Sequence, residues 1–252
     1  MSPPPTEPPP AEIVDRASAR RGLRAGMVHA LGAPALVLGA SYVGFGSLIR
    51  QLGLGVEIGL LSTLSAWALP GQVAAIELHA LGASLPSIFI AVALANARLL
   101  PMAVTLSPVI HVDGRPRWRL YLAAHFVAIT AWAMTMLRGP AMPRGERLSF
   151  FVGFAVVLWL ASLFGTALGF GLTGDLPRSV AVALVFINPI YFLLLFFVPP
   201  GSRSRWASLG FGVVLGPLFQ ALSPGWGLLL AGIVGGTLAF AVTRPRPAGG
   251  PR

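Results

Sequence analysis

The sequence contains no cysteine and no lysine, and charged residues of either sign are scarce. The absence of cysteine excludes disulfide bonds, thiolate nucleophiles and cysteine-bound metal ions. Only 10% of the 252 residues are charged, whereas 55% are hydrophobic and the mean hydropathy is +0.78. Because an average soluble domain carries about 25% charged residues, this composition argues against a water-soluble globular domain and favours a membrane protein.

The positive charge is carried by 18 arginines, which outnumber the 8 acidic residues and give a formal net charge of +10. A chain this basic is often a nucleic-acid-binding protein. Most of these arginines, however, flank long apolar segments, where the cytoplasmic loops of membrane proteins collect positive charge. We therefore expect the chain to lie in a lipid bilayer, with no nucleic-acid partner and with neither a cofactor nor a metal site.

Eight segments approach or exceed the length of about 20 apolar residues that is needed to cross a bilayer. They are residues 28–49, 57–81, 84–110, 119–137, 148–172, 179–198, 206–222 and 226–243. The last two are short and closely spaced, so a helical hairpin that does not fully cross stays open. The expected fold class is an all-α polytopic membrane protein with seven or eight transmembrane helices, several of them discontinuous.

The rest of the chain is expected to form tails. Residues 1–26 are predicted to be a disordered cytoplasmic tail, 27–243 a single transmembrane domain, and 244–252 a cytoplasmic C-terminal tail. The apolar run that begins near residue 27 continues too far for the h-region of a signal peptide. A cytoplasmic N-terminus places most arginines inside, but Arg115, Arg117 and Arg119 then lie outside, which keeps the seven-span alternative open.

Glycine and proline interrupt several of the predicted spans. The interruptions are Pro70-Gly71 in the second span, Pro101 in the third, Gly165, Gly169 and Gly171 in the fifth, and Asn188-Pro189 in the sixth. A proline leaves the carbonyl four residues earlier without its helical donor, and in hydrocarbon such a carbonyl needs a partner or a water-filled cavity. Any one interruption is tolerated as a kink, whereas four together favour a cavity.

The third and sixth predicted spans begin with similar sequences. Leu85-Pro86 and Leu176-Pro177 are each followed by Ala-Val-Ala-Leu and then by an asparagine, Asn96 or Asn188. An offset of three spans reverses the orientation in the membrane, so the similarity suggests a 3+3 inverted repeat, as in many secondary transporters. The motif is short, and a chance origin stays open.

Arg98 lies near the middle of the third predicted span, and no acidic residue lies within ten positions of it. A charge at that depth costs a few kcal/mol or more unless it is paired or hydrated. Its planar guanidinium matches the two oxygens of a carboxylate, so Arg98 is a candidate substrate-binding group. A buried ion pair and a cap on the carbonyls freed by Pro101 are the structural alternatives.

Asn96 and Gln72 are further polar groups inside predicted spans. Because Asn96 lies two residues before Arg98, both side chains can face one cavity only if the backbone between them is unwound. Gln72 follows the Pro70-Gly71 interruption, where it either binds substrate or reseals the helix. Both are candidate substrate-binding residues.

Glu77 and His125 are the candidates for proton coupling, since each can carry a proton. Contact with lipid headgroups is the alternative for Glu77, and hydrogen bonding in helix packing is the alternative for His125. The tryptophans inside the predicted spans, Trp67, Trp132 and Trp159, are expected to pack between helices rather than to bind substrate.

Four motifs occur in a fixed order along the chain. They are Gly44-Phe45-Gly46, Ala68-Leu69-Pro70-Gly71-Gln72, Asn96-Ala97-Arg98 and Phe164-Gly165-Thr166-Ala167-Leu168-Gly169. From about residue 30 onward, this pattern resembles the AzlC-type branched-chain amino acid permease family, with its Ala-Gly-x-x-Gln break, its Asn/Asp-x-Arg-His motif and its Phe-Gly-Thr-x-x-Gly motif. The order and spacing are more specific than any single motif.

The resemblance implies a secondary carrier that exports branched-chain amino acids such as valine across the bacterial inner membrane, beside a small membrane subunit of the AzlD type. The candidate substrate-binding residues are then Arg98, Asn96, Gln72, Asn188, Gly71 and Thr166. The sequence departs from the family at Leu99, where the motif has histidine, and at Thr130-Ala131-Trp132, where the family commonly has Thr-Asp-Glu. Proton coupling must therefore use another residue, such as Glu77, or be absent.

Two other classes of function are weighed against an exporter. A passive channel or a non-transporting membrane subunit of a larger complex stays open as the alternative. An intramembrane enzyme is disfavoured because the histidines are scattered, no span holds two acids, and Ser65 and Ser162 lack a Gly-x-Ser-Gly context. We expect no enzymatic activity and no catalytic residue.

Overall fold

The computed structural model describes residues 16–111, 116, 118–172, 177–197, 203–222 and 227–243. The described residues form helices and turns without a strand. The helices are α1 (Arg16–Ala30), α2 (Ala33–Gln51), α3 (Val56–Ser65), α4 (Leu69–Ala80), α5 (Leu85–Asn96), α6 (Leu99–Ile110), α7 (Trp118–His125), α8 (Ile129–Arg138), the 3₁₀ turn Gly139–Ala141, α9 (Arg144–Gly171), α10 (Arg178–Phe197), α11 (Arg203–Leu222) and α12 (Gly227–Thr243). Residues 1–15 of the predicted tail 1–26, and the whole of the predicted C-terminal tail 244–252, lie outside the described residues.

Three helical stretches are long and apolar enough to cross a membrane. They are α2, α9 and the 26 residues Leu85–Ile110, which contain α5 and α6. Shorter apolar helices accompany them, at Val56–Ser65, Arg178–Tyr191 and Leu230–Thr243. The prediction of an all-α membrane protein is therefore confirmed, whereas the number of spans stays a prediction.

Three of the predicted spans consist of two short helices each, divided at residues 66–68, 97–98 and 126–128. The interruption expected in the second span is therefore a break in helical conformation, whereas the one in the third span divides two helices whose linking residues keep helical dihedral angles. The interruption in the fourth span was not anticipated. Pro70 and Pro101 do not lie in the interruptions themselves but in the first turns of α4 and α6. Proline is tolerated there because first-turn amides have no partner within the helix.

The fifth and sixth predicted spans are continuous helices, which corrects the expectation of interruptions there. Helix α9 runs through its glycines, and α10 runs through Asn188-Pro189. In α9 the glycines allow close packing: a methyl group on Gly165 would lie 2.5 Å from the carbonyl oxygen of Gly39 in α2. In α10 the loss of one backbone hydrogen bond at Pro189 is not enough to end the helix.

The disordered tail expected up to residue 26 is wrong for residues 16–26, which form most of α1 and pack along α9. A methyl group on Gly26 would overlap the backbone carbonyl oxygen of Phe150, so glycine brings the two helices into backbone contact. The Nε of Arg21 donates a hydrogen bond to Oε1 of Glu146 at 2.9 Å. These contacts give the segment a tertiary partner that its polar sequence does not reveal.

The chain divides into two compact units, comprising Met1–Leu69 with Arg98–Asn188, and Pro70–Ala97 with Pro189–Arg252. The prediction of one domain over 27–243 did not anticipate this division. In the first unit α9 packs against α1, α2, α3, α6 and α8, and in the second α12 packs against α11 and α5. The chain passes between the units before Pro70, Arg98 and Pro189, which the sequence had singled out.

Candidate functional site

The break between α3 and α4 comprises Ala66, Trp67 and Ala68. Ala66 has φ −139° and ψ 70°, outside the helical region. Its carbonyl oxygen, which Pro70 leaves without a helical donor, accepts a hydrogen bond from the amide of Ala68 at 2.7 Å. The freed carbonyl is therefore satisfied within the break itself, and it does not need the wet cavity that the sequence suggested.

Two indole groups connect this break to α9. Nε1 of Trp67 donates to Oγ of Ser162 at 3.0 Å, and Nε1 of Trp159 donates to the carbonyl oxygen of Thr63 at 3.1 Å. Ser162 is fully buried and Trp67 is 5% exposed. The expectation that these tryptophans only pack missed their hydrogen bonds. The available signal was their spacing, since Trp159 and Ser162 share a face of α9.

Ser162 uses its full hydrogen-bonding capacity at this point. Its hydroxyl donates to the carbonyl oxygen of Leu158 at 2.8 Å, and it also bonds the hydroxyl of Tyr42 in α2. A serine hydroxyl has one donor and two acceptor positions, so these two contacts and the Trp67 indole saturate it. The Ser162 hydroxyl therefore has no free donor or acceptor position, and its three hydrogen bonds fix the direction in which it donates.

Arg98 lies in the interruption between α5 and α6. No hydrogen bond to its buried Nε, and no ion pair with an acidic group, is present among the described residues. Ala97 and Arg98 keep helical dihedral angles, with φ −53°, ψ −30° and φ −59°, ψ −24°. The backbone is thus not unwound, so Asn96 and Arg98 lie on different faces of the stretch.

In the second unit, Gly71 of α4 lies against the carboxamide of Asn96 at the end of α5. A methyl group on Gly71 would lie 2.5 Å from Nδ2 and 2.7 Å from Oδ1 of Asn96. Oδ1 of Asn96 is buried without a hydrogen-bond partner, and the neighbouring Gln72 is only 4% exposed. The structure therefore brings together the predicted substrate-binding residues Gly71 and Asn96.

Asn188 and Thr166 belong to the first unit. Oδ1 of Asn188 is buried without a hydrogen-bond partner. Thr166 is fully buried, and its hydroxyl donates to the carbonyl oxygen of Ser162 at 2.9 Å. A methyl group on Gly59 of α3 would lie 2.9 Å from Cγ2 of Thr166. Thr166 thus takes part in helix packing, and its role in substrate binding stays a prediction.

Four buried side-chain atoms have no hydrogen-bond partner within the described ranges: Asn96 Oδ1, Arg98 Nε, Asn188 Oδ1 and Thr135 Oγ1. Three of them belong to predicted substrate-binding residues. An unpaired buried polar group costs about 1–3 kcal/mol, so in a native fold each such group calls for an explanation such as a water, an ion or a ligand.

The proton-coupling candidates, Glu77 in α4 and His125 at the end of α7, are both exposed. The ring of His125 meets that of Phe126 edge-on, with 5.2 Å between centroids. Where the family commonly has an acidic pair, Ala131 is fully buried in α8. No group of three or more metal-ligating side chains occurs in the part of the chain that the structure describes.

The first and fourth motifs meet where α2 crosses α9. A methyl group on Gly46 would overlap the carbonyl oxygen of Thr166, and one on Gly169 would overlap that of Val43. Phe45, between the two glycines of its motif, is fully buried. The glycines of both motifs therefore allow two backbones to touch, which is how helices pack closely in lipid.

A family model described as AzlC protein matches residues 34–176, which is more than half of the chain. The matched region contains all four motifs, the α3–α4 break and the crossing of α2 and α9. A search of the curated proteins and a search of the solved structures each found no match. Together with its long apolar helices, the match shows that the chain belongs to the AzlC family of membrane transport proteins.

Proposed function

We propose that the protein is a secondary transporter that exports branched-chain amino acids such as valine across the bacterial inner membrane, with its N-terminus in the cytoplasm. Membership of the AzlC family and three stretches long enough to span a bilayer support this proposal. Alternating access through discontinuous helices is the mechanism we expect, because such helices carry the binding sites of many secondary transporters.

The observation that carries the proposal is the unpaired Nε of Arg98 in an otherwise apolar stretch. A guanidinium within the membrane is expensive unless a partner compensates it. An amino acid carries a carboxylate whose two oxygens fit the guanidinium fork through two charge-assisted hydrogen bonds. We therefore assign Arg98 to the substrate carboxylate.

The other predicted residues suit the remaining parts of an amino acid. Oδ1 of Asn188 is an unpaired acceptor in the same unit as Arg98, and a substrate ammonium group is a donor that lacks partners in an apolar environment. Oδ1 of Asn96 is a second unpaired acceptor, and because Asn96 lies on a different face from Arg98, it would reach the same substrate in a state in which residues 97 and 98 unwind. Gly71 adjoins Asn96 within the second unit, Gln72 follows Gly71 in the chain, and a branched apolar side chain needs only apolar walls. Thr166 is retained as a more distant candidate.

The proposal also includes candidates for proton coupling and a partner subunit. Glu77 and His125 are exposed side chains that can each carry a proton, and we propose them as the candidates for proton coupling. A small membrane subunit of the AzlD type is the partner we expect, and we propose that export in cells needs it.

The test is valine efflux and counterflow in proteoliposomes that contain the wild type or Arg98→Lys. Lysine keeps the charge but loses the two-pronged contact, so transport should fall by about tenfold or more. The matched control is Arg50→Lys, because Arg50 is exposed and donates to the carbonyl oxygen of Phe170 at 3.0 Å, and this variant should transport like the wild type. Unchanged efflux in Arg98→Lys would end the assignment, and flux that does not saturate would indicate a channel.

A further inference from the structure

The α3–α4 break is joined to α9 by a tryptophan clamp, which consists of Trp67, Thr63, Trp159 and Ser162. We propose that Trp67 and Trp159 are positioning residues for transport, which hold residues 66–68 out of helical conformation and so fix where α4 begins. This inference rests on the proposed transport function for its effect on substrate affinity. The clamp itself rests on the two indole hydrogen bonds to α9.

Local sequence does not explain the break. Alanine and leucine are strong helix formers and tryptophan is an acceptable one, and residues 65–69 contain neither glycine nor proline. Pro70 removes one helical hydrogen bond and its ring crowds the carbonyl of Ala66, yet three helices of this chain remain continuous around an internal proline, at Pro108, Pro189 and Pro217. A proline therefore does not by itself end a helix in this chain. We attribute the break at residues 66–68 to their tertiary contacts with α9.

The first contact satisfies a helix end. The carbonyl of Thr63 is among the last four of α3, which have no partner within the helix. It accepts the hydrogen bond from Trp159 at 3.1 Å, so an α9 side chain takes the place of the next helical turn. If residues 66–68 became helical, an amide from that turn would compete with the Trp159 indole for this carbonyl.

The second contact holds the break in place. The Trp67 indole donates at 3.0 Å to the fully buried hydroxyl of Ser162, whose other two positions are taken by Leu158 and Tyr42. Moving Trp67 into a helix would leave the buried indole without a partner and one acceptor position of Ser162 empty, and an unpaired buried donor is costly. Trp67 is followed by Ala68, at 9% exposed, and by Leu69, at 5%, so the chain is immobilised up to the residue that begins α4.

The start of α4 sets the positions of Gly71 and Gln72, because both lie in its first turn. A helix that continued from α3 would carry these residues around its axis by about 100° for each added residue. Gly71 and Gln72 are the second and third residues after Leu69, so the residue at which α4 begins decides their place in that helix. The clamp, which immobilises the chain up to Leu69, therefore fixes the helix position of two candidate substrate-binding residues without touching the substrate.

The experiment is a double-mutant cycle with Trp67→Phe, Ser162→Ala and the double variant. Each single variant should raise the KM for valine by about tenfold, with Vmax per inserted protein changed less than twofold, because one buried hydrogen bond is lost. The double variant should be no worse than Ser162→Ala alone, since that variant has already removed the bond that Trp67→Phe removes. Trp132→Phe is the matched control, because its indole also donates to a hydroxyl, that of Thr105 at 3.0 Å, and its KM should not change.

Hydrogen–deuterium exchange over residues 65–73 gives a readout that needs no substrate. Trp67→Phe and Ser162→Ala should each change exchange there, whereas Trp132→Phe should not. Unchanged exchange in Trp67→Phe, or effects of the two substitutions that simply add, would overturn the clamp. Lower thermal stability with an unchanged KM would overturn the positioning role, and wild-type vesicles that fail to move valine would contradict the transport proposal alone.

Discussion

The stretch Leu85–Ile110 and helix α9 are similar in length and composition, yet they differ in how far they are buried and in whether their polar groups are paired. None of the most apolar window of Leu85–Ile110 is buried within the protein, whereas 44% of that window in α9 is buried. Polar groups of α9 are paired, as Ser162 and Thr166 show. Asn96 and Arg98 in the other stretch retain unpaired buried atoms. The difference separates a helix whose polar groups are paired within the protein from a stretch that retains unpaired polar atoms.

The largest effect should come from emptying the core along α9. Phe154→Ala removes a fully buried ring and should cost about 3–5 kcal/mol of stability. Phe89→Ala in the stretch Leu85–Ile110 is the counterpart, because Phe89 is 74% exposed, and it should change stability little. Thermal unfolding in detergent measures both, and equal losses would erase the contrast between the two regions.

Close packing of α9 gives the next effect. Gly169→Ala places a methyl group against the carbonyl of Val43 and should cost about 1–3 kcal/mol through overpacking. Gly171→Ala is the matched control, since nothing lies within 4 Å of a methyl group there, and it should be neutral or slightly stabilising. If both variants unfolded at the wild-type temperature, the crossing of α2 and α9 would be looser than described.

In the stretch Leu85–Ile110, where polar atoms are unpaired, a substitution should change transport activity rather than stability. Asn96→Ala removes a buried oxygen that has no partner, so stability should stay the same or rise. Transport should fall by about tenfold, equivalent to about 1.4 kcal/mol. Thermal unfolding and proteoliposome efflux are measured on the same preparation. A stability loss with normal transport would assign Asn96 to packing.

The smallest effect is expected at the surface of α9. Arg21 pairs with Glu146 at 2.9 Å, but the Arg21 side chain is 64% exposed, and exposed pairs contribute about 0.2–1 kcal/mol. Arg21→Gln should therefore lower the unfolding temperature by only a degree or two, and less in high salt. A larger loss would mean that α1 is held chiefly by charge and not by the contact of Gly26 with α9.

The sequence alone was sufficient to predict the class of protein and to select the candidate site residues. Composition and apolar length predict an all-α membrane protein, and the motif order led to the family. The proline positions led to the neighbourhood of two interruptions. The chemistry of a lone guanidinium in apolar surroundings singled out Arg98, whose Nε is indeed unpaired. Each of these inferences depends on a local property of the chain.

What the sequence could not supply depends on distant contacts. The break at 66–68 is held by a hydrogen bond between residues 95 positions apart, and no local pattern encodes it. Prolines with the same local chemistry lie in the first turn of a helix at Pro70 and inside a continuous helix at Pro189. The packing of α1 depends on glycines that meet α9 more than a hundred residues later.

Each compact unit is assembled from two separate pieces of sequence, which imposes an order on biosynthesis. The first unit is complete once the ribosome has delivered Asn188, whereas α4 and α5 of the second unit are followed by the whole of Arg98–Asn188 before their own unit resumes. Translation proceeds at about 5–20 residues per second. Helix α5 is therefore synthesised several seconds or more before α12, the helix that it contacts in the folded unit.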